Sequence, residues 1–142
     1  MGMKKDVTVS WAGKMTFIGE AASGNTVTMD AGKDNGGLGL GHSPMDLLLM
    51  GAGGCACIDV VMILKKARQT LVDCVCQVSG VRAEERPQVY TDIHMHFIVT
   101  GTDLREEAVK RAVELSMTKY CSASATLAKG AKLTYDWDIK QA

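Results

Sequence analysis

A chain of 142 residues is long enough to bury a core and short enough to be expected as a single domain. Its 16 basic and 16 acidic side chains cancel, which excludes the net positive charge that holds a nucleic acid or an anionic membrane surface, so neither is expected as a partner. With two Trp, two Phe and three Tyr the core must be aliphatic, and nine Met and fifteen Gly point to adaptable packing and close backbone approaches.

The amino end, "MGMKKDVTVSW", holds no apolar segment of signal-peptide length, so a cytoplasmic location is expected. Five cysteines are an odd number without secreted spacing, and in a reducing compartment they should be free thiols. Alternation predicts a strand over Val7–Trp11, a second over Met15–Ile18 and a third over "TVTMD", as a small antiparallel meander. Residues 30–42 are glycine-rich but lack phosphate-loop spacing and read as a flexible connection.

Ser43-Pro44 is a helix start, with Ser43 as N-cap, Pro44 at the first helical position and Asp46 in the first turn. The predicted helix runs to about Arg68 and is apolar on nearly all sides, so it should be wrapped by other elements. Residues 45–64 have the length of a membrane span, but Asp46, Asp59 and three glycines favour a buried soluble helix. Gly51, Gly53 and Gly54 each cost roughly 0.5–1 kcal/mol against alanine, which close packing of another backbone would offset. Two long strands follow, "LVDCVCQVSGVRA" and "QVYTDIHMHFIVTG", expected to pair antiparallel. Asp103 is expected to cap a second helix, interrupted near "KYCSASATLAKG", and "KLTYDWDIK" closes the chain as a strand. The fold class is therefore α+β.

Chemistry centres on sulfur. Cys55 and Cys57 point roughly 200° apart on a helix, so they cannot pair with each other. Cys121 sits at a predicted helix restart, where unpaired N–H groups would lower a thiol's pKa. Cys55, in the glycine-weakened helix, is an equal candidate for reactivity. Cys74 and Cys76 share one strand face and read as small core residues; with His94 and His96 they form a weaker metal-binding alternative.

"SPMDLLLMGAGGC" followed by "KYCSASATL" resembles the OsmC/Ohr family of thiol-dependent peroxidases, in one of its shorter branches. The motif pair is Pro44, an acidic residue two places on, a cysteine nine further, and a second cysteine about 65 residues later in a C-x-x-S context. The resemblance implies an OsmC-like intertwined homodimer with antiparallel sheets around a long buried central helix, in which the three glycines meet the partner's helix. It implies that Cys55 is the thiolate that attacks an organic hydroperoxide and that Cys121 resolves the sulfenic acid as a disulfide. A dithiol reductant, lipoyl-type or a small thiol, would reopen it, with no metal or tightly bound cofactor. Apolar walls near Leu47 to Met50 would favour bulky organic peroxides.

Asp46 matches the family's glutamate, although nine residues of helix turn about 900° and set it opposite Cys55; it would serve the partner's site, or the helix would bend at Gly53-Gly54. The family's arginine upstream of the proline motif has no counterpart, because no arginine precedes Arg68. Lys33 and His42 are the cations in that loop. Without a cation, burial would keep Cys55 a thiol, and an ionised Asp59 one turn on would act in the same direction. The alternative function is a non-catalytic dimeric binder of a small hydrophobic ligand.

Overall fold

The alternating amino-terminal stretches form three short antiparallel strands in the computed structural model, which describes residues 2–142. These are β1 (Val7–Trp11), β2 (Thr16–Ala21) and β3 (Thr26–Asp30), with Ser10 opposite Ile18 and Ile18 opposite Thr28. Gly13 at φ 98° makes the first turn, in a backbone region that L side chains avoid. The loop after β3 is tied down rather than free. The buried Asp30 carboxylate accepts the backbone N–H groups of Leu38 at 3.1 Å and Leu40 at 3.0 Å. The Leu40 N–H is the foremost reason that the Asp30 carboxyl is held below the usual carboxylate range.

Helix α1 (Pro44–Lys66) begins as the sequence predicts, with the Asp46 N–H donating to Ser43 Oγ at 3.1 Å and Asp46 in the first turn. Two compact units divide the chain, the first ending at Leu48 and the second beginning at Leu49, so α1 runs across the boundary.

The second unit is built on a sheet of order β4-β5-β6. Strands β4 (Thr70–Arg82) and β5 (Tyr90–Thr102) pair antiparallel, and β6 (Lys132–Gln141) lies parallel to β5. Period-2 alternation puts Ile93, Met95, Phe97 and Val99 on one face, all essentially unexposed. Ala52, Ala56, Val60 and Leu64 of α1 are buried with them, as are Val109, Ala112 and Val113 of helix α2 (Glu106–Leu115). Asp103 does not cap α2: it takes a left-handed conformation at φ 52° where β5 ends. Two glutamines distant in sequence hold that entry instead. Gln141 Oε1 accepts from the Leu104 N–H at 3.0 Å, and Gln69 Oε1 accepts from the Arg105 N–H at 2.9 Å. One wide π-helical turn (Ser116–Tyr120) and a short helix α3 (Ser122–Leu127) lead to β6.

Helix α1 is long and apolar enough by composition to cross a membrane, yet it carries a buried stripe at Ala52, Gly53, Ala56, Val60 and Leu64. The expectation that it is wrapped on all sides is not met within one chain. Met50, Ile58 and Met62 are 50%, 62% and 52% exposed, and Gly51 and Gly54 face open space. Only Gly53 is explained by its own chain, because a Cβ there would stand 3.0 Å from Val78 Cγ2. A single three-stranded sheet and one amphipathic helix cover one side of a cylinder and leave the other bare.

The opposite face of the sheet is polar. His94 and His96 share Asp136 Oδ1, at 2.9 and 2.7 Å, and His96 Nε2 reaches Asp138 Oδ2 at 3.2 Å. Cys74 and Cys76 lie across from Val99 and Phe97, on the buried face, so the four-ligand metal grouping with His94 and His96 does not assemble. Hydrogen bonding to Asp136 raises the His96 pKa above 6.5, and hydrogen bonding from His96 lowers that of Asp136 below 3.8. A raised histidine stabilises the fold at pH values below its unfolded value and loses that contribution as pH rises through the folded one. A lowered aspartate does the reverse, so the pair contributes most between these values and fades at either side. Asp136→Asn is expected to bring the His96 midpoint down toward 6.5 in an NMR titration of the imidazole protons.

Candidate thiol site

Helix α1 supplies two of the site's three groups. Cys55 and Asp59 are one turn apart on it, and the π-helical turn after α2 delivers Cys121. Cys55 Sγ, a carboxylate oxygen of Asp59 and Cys121 Sγ all lie within 4.8 Å of one another. The two thiols that the sequence singles out are therefore brought together, and both are free. Cys55 is partly exposed, whereas Cys121 is 3% exposed.

Cys121 is the N-cap of α3, as the predicted helix restart requires. Its Sγ accepts the Ser124 N–H at 3.4 Å, stands 2.9 Å from Ser124 Oγ and lies 3.8 Å from the Ala52 carbonyl. The expected lowering of its pKa does not follow. Burial is the largest effect and pushes the thiol up, outweighing the Ser124 hydrogen bonds; donation toward Cys55 raises it further. Burial therefore favours the thiol form of Cys121, with Cys55 Sγ within 4.8 Å.

Asp59 is held by Ser116, a buried residue of the π-helical turn. Ser116 Oγ lies 3.1 Å from Asp59 Oδ2 and 3.3 Å from the Ala56 carbonyl, so its one proton is shared between two acceptors. Ser116 gives no signal in the sequence, because its role depends on a wide helical turn that local pattern does not announce. Two thiols and a carboxylate within this span could also hold a soft divalent cation such as zinc in place of their protons.

A groove of about 810 Å³ opens beside Asp59, between α1 and α2. Met62, Ile63, Leu115 and Tyr120 form its apolar wall, and Arg105 and Arg111 bring cations to it. The apolar wall predicted around Leu47 to Met50 is not this one. Lys33, His42 and Asp46 belong to the first unit, and the Asp46 side chain is exposed beside its cap. Helix α1 is continuous through Gly53-Gly54.

Comparison with known proteins bears on the whole arrangement. The family profile described as OsmC-like protein matches residues 26–136. Protein YhfA of Escherichia coli strain K12 is 46% identical over 131 residues, which cover 92% of this chain and 95% of its own. The crystal structure of a hypothetical protein from Aquifex aeolicus VF5 superposes with a TM-score of 0.87 at 30% identity, over 99% of both chains. That of an organic hydroperoxide resistance protein, OsmC, from Legionella pneumophila superposes with a TM-score of 0.69 over 96% of this chain and 97% of its own; at 12% identity it speaks for the fold.

Proposed function

The chain belongs to the OsmC-like family, and from that premise we propose that it is a thiol-dependent peroxidase that reduces organic hydroperoxides, working as a homodimer in a reducing cytoplasm. The observation that carries this reading is the approach of Cys55 and Cys121 within 4.8 Å, the first residue part-exposed and the second buried. The accessible thiolate attacks the terminal peroxide oxygen. The O–O bond breaks, the alkoxide leaves and takes up a proton, and Cys55 becomes a sulfenic acid. Cys121 then attacks that sulfur, its own proton leaves with the hydroxyl as water, and the Cys55–Cys121 disulfide forms. A dithiol reductant, lipoyl-type or a small thiol, returns both residues to thiols by exchange.

The other residues fit supporting roles. The Ser124 N–H donates to Cys121 sulfur as it loses its proton, and Asp59, oriented by Ser116, would accept or return a proton beside both sulfurs. The groove walled by Met62, Ile63 and Leu115 suits an alkyl chain better than a molecule of hydrogen peroxide. Of the cations that line it, Lys66, Arg105 and Arg111, the two arginines have the planar fork that could stand in for the family's missing arginine. Asp46 is kept as a residue that would serve the partner's site. Titration of the reduced protein with cumene hydroperoxide tests the reading: two of the five thiols should disappear, and peptide mapping should recover Cys55 linked to Cys121. No thiol loss, with ligand bound in the groove, would favour a non-catalytic binder.

The homodimer has its own test. Met50, Gly54, Ile58 and Met62 recur at four-residue spacing and form the bare stripe of α1, and the glycine there lets a second backbone come close. A Cβ at Gly54 meets nothing within its own chain, so Gly54→Leu should keep its far-UV circular dichroism. It should elute as a monomer in size-exclusion chromatography with light scattering. An unchanged dimer would remove this stripe from the interface.

A further inference from the structure

Three of the five cysteines lie outside the peroxidatic pair, and the fold brings them together. Gly53 of α1 sits beside Val78 and Cys76 of β4. One turn further along the helix, Cys57 faces the same strand, where its thiol interacts with those of Cys74 and Cys76. The spacing explains the match. Four helical residues advance about 6 Å and two strand residues about 6.6–6.8 Å, so a residue four beyond Gly53 falls between Cys76 and Cys74. All three are half-buried and free. Cys57 faces β4 while Cys55, two residues before it, faces the π-helical turn, so the two groups of thiols occupy different sides of α1.

Cys74 and Cys76 cannot bridge each other, because alternate residues of one strand hold their side chains side by side about 6.6–6.8 Å apart. Any bond within this group must include Cys57. We propose that Cys57, with Cys74 and Cys76 as interchangeable partners, is a second dithiol–disulfide centre that exchanges with low-molecular-weight disulfides of the glutathione type. Interaction with the two neighbouring thiols lowers the Cys57 pKa and raises those of Cys74 and Cys76, which favours Cys57 as the attacking sulfur. The Cys57 thiolate attacks one sulfur of the external disulfide, whose bond breaks and releases one small thiol. Cys74 or Cys76 then attacks the Cys57 sulfur of the mixed disulfide, loses its proton and releases the second small thiol. The balance is one external disulfide reduced to two thiols and one internal disulfide formed, with α1 fastened to β4.

The test uses the full chain with Cys55→Ser and Cys121→Ser, so its outcome does not depend on the peroxidase reading. That protein retains three thiols, and excess oxidised glutathione should reduce the count to one, with no adduct in the intact mass. Cys74→Ser or Cys76→Ser added singly should each still form a bond to Cys57, by peptide mapping, so the readout survives even if a Cys57 variant fails to fold. Both together should leave a glutathione adduct on Cys57 and no internal bond. Three thiols persisting, adducts without closure in the starting protein, or bonds only between chains would each overturn the proposal.

Discussion

Cys55→Ser is expected to abolish hydroperoxide turnover, lowering kcat/KM for cumene hydroperoxide by about 10³-fold or more, since it removes the nucleophile and not a supporting group. It should also end the peroxide-dependent loss of thiols, although Cys121 remains in place. Cys121→Ser should behave differently. Cys55 would still be oxidised once, at a rate close to that of the parent protein, and then stall as a sulfenic acid that dimedone traps. The distinction follows from the proposed roles: Cys55 is the part-exposed residue that would meet the substrate, and Cys121 is buried beside it. The rate of the single oxidation, followed by stopped flow, separates attack from resolution. Dimedone labelling of Cys121 in the Cys55→Ser protein, with retained turnover, would reverse the two roles.

The sequence is informative where one element settles its own fate. Ser43-Pro44 announces the start of α1, and alternation announces β4 and β5, because caps and side-chain periods are local. The pairing of Cys55 with Cys121 as a candidate site came from a motif resemblance, and no periodicity carries it. Features made by distant partners were illegible. Asp103 looked like a cap, yet Gln69 and Gln141 occupy the entry to α2. The helix-terminal position of Cys121 suggested a lowered pKa, but burial, which depends on the whole second unit, reverses the sign. Cys57 gave no signal because Cys74 and Cys76 reach it only once α1 lies along β4. The bare stripe of α1 was hidden for a different reason: uniform apolarity says that a helix is covered, without saying by which chain.

Phe97→Ala is expected to carry the largest cost in stability, about 3–5 kcal/mol, against a total of about 5–15 kcal/mol for a domain of ordinary stability. Phe97 is the largest of the fully buried side chains and stands in the central strand of its sheet, opposite Cys76 on β4 and Trp137 on β6. The effect should appear as a lower urea midpoint with an unchanged m-value. Phe97→Leu, which keeps most of the volume, should lose less than half as much. At low temperature the folded fraction of Phe97→Ala should keep its rate of hydroperoxide-dependent thiol loss, since the cross-strand neighbours of Phe97 are Cys76 and Trp137 and neither thiol of the pair. Two positions along β5, Met95 Sδ accepts from Ser124 Oγ at 3.5 Å, so a loss of rate beyond the loss of folded protein would mean that the core positions the Cys121 cap directly. A cost under about 1 kcal/mol would contradict a close-packed sheet face behind the thiol site.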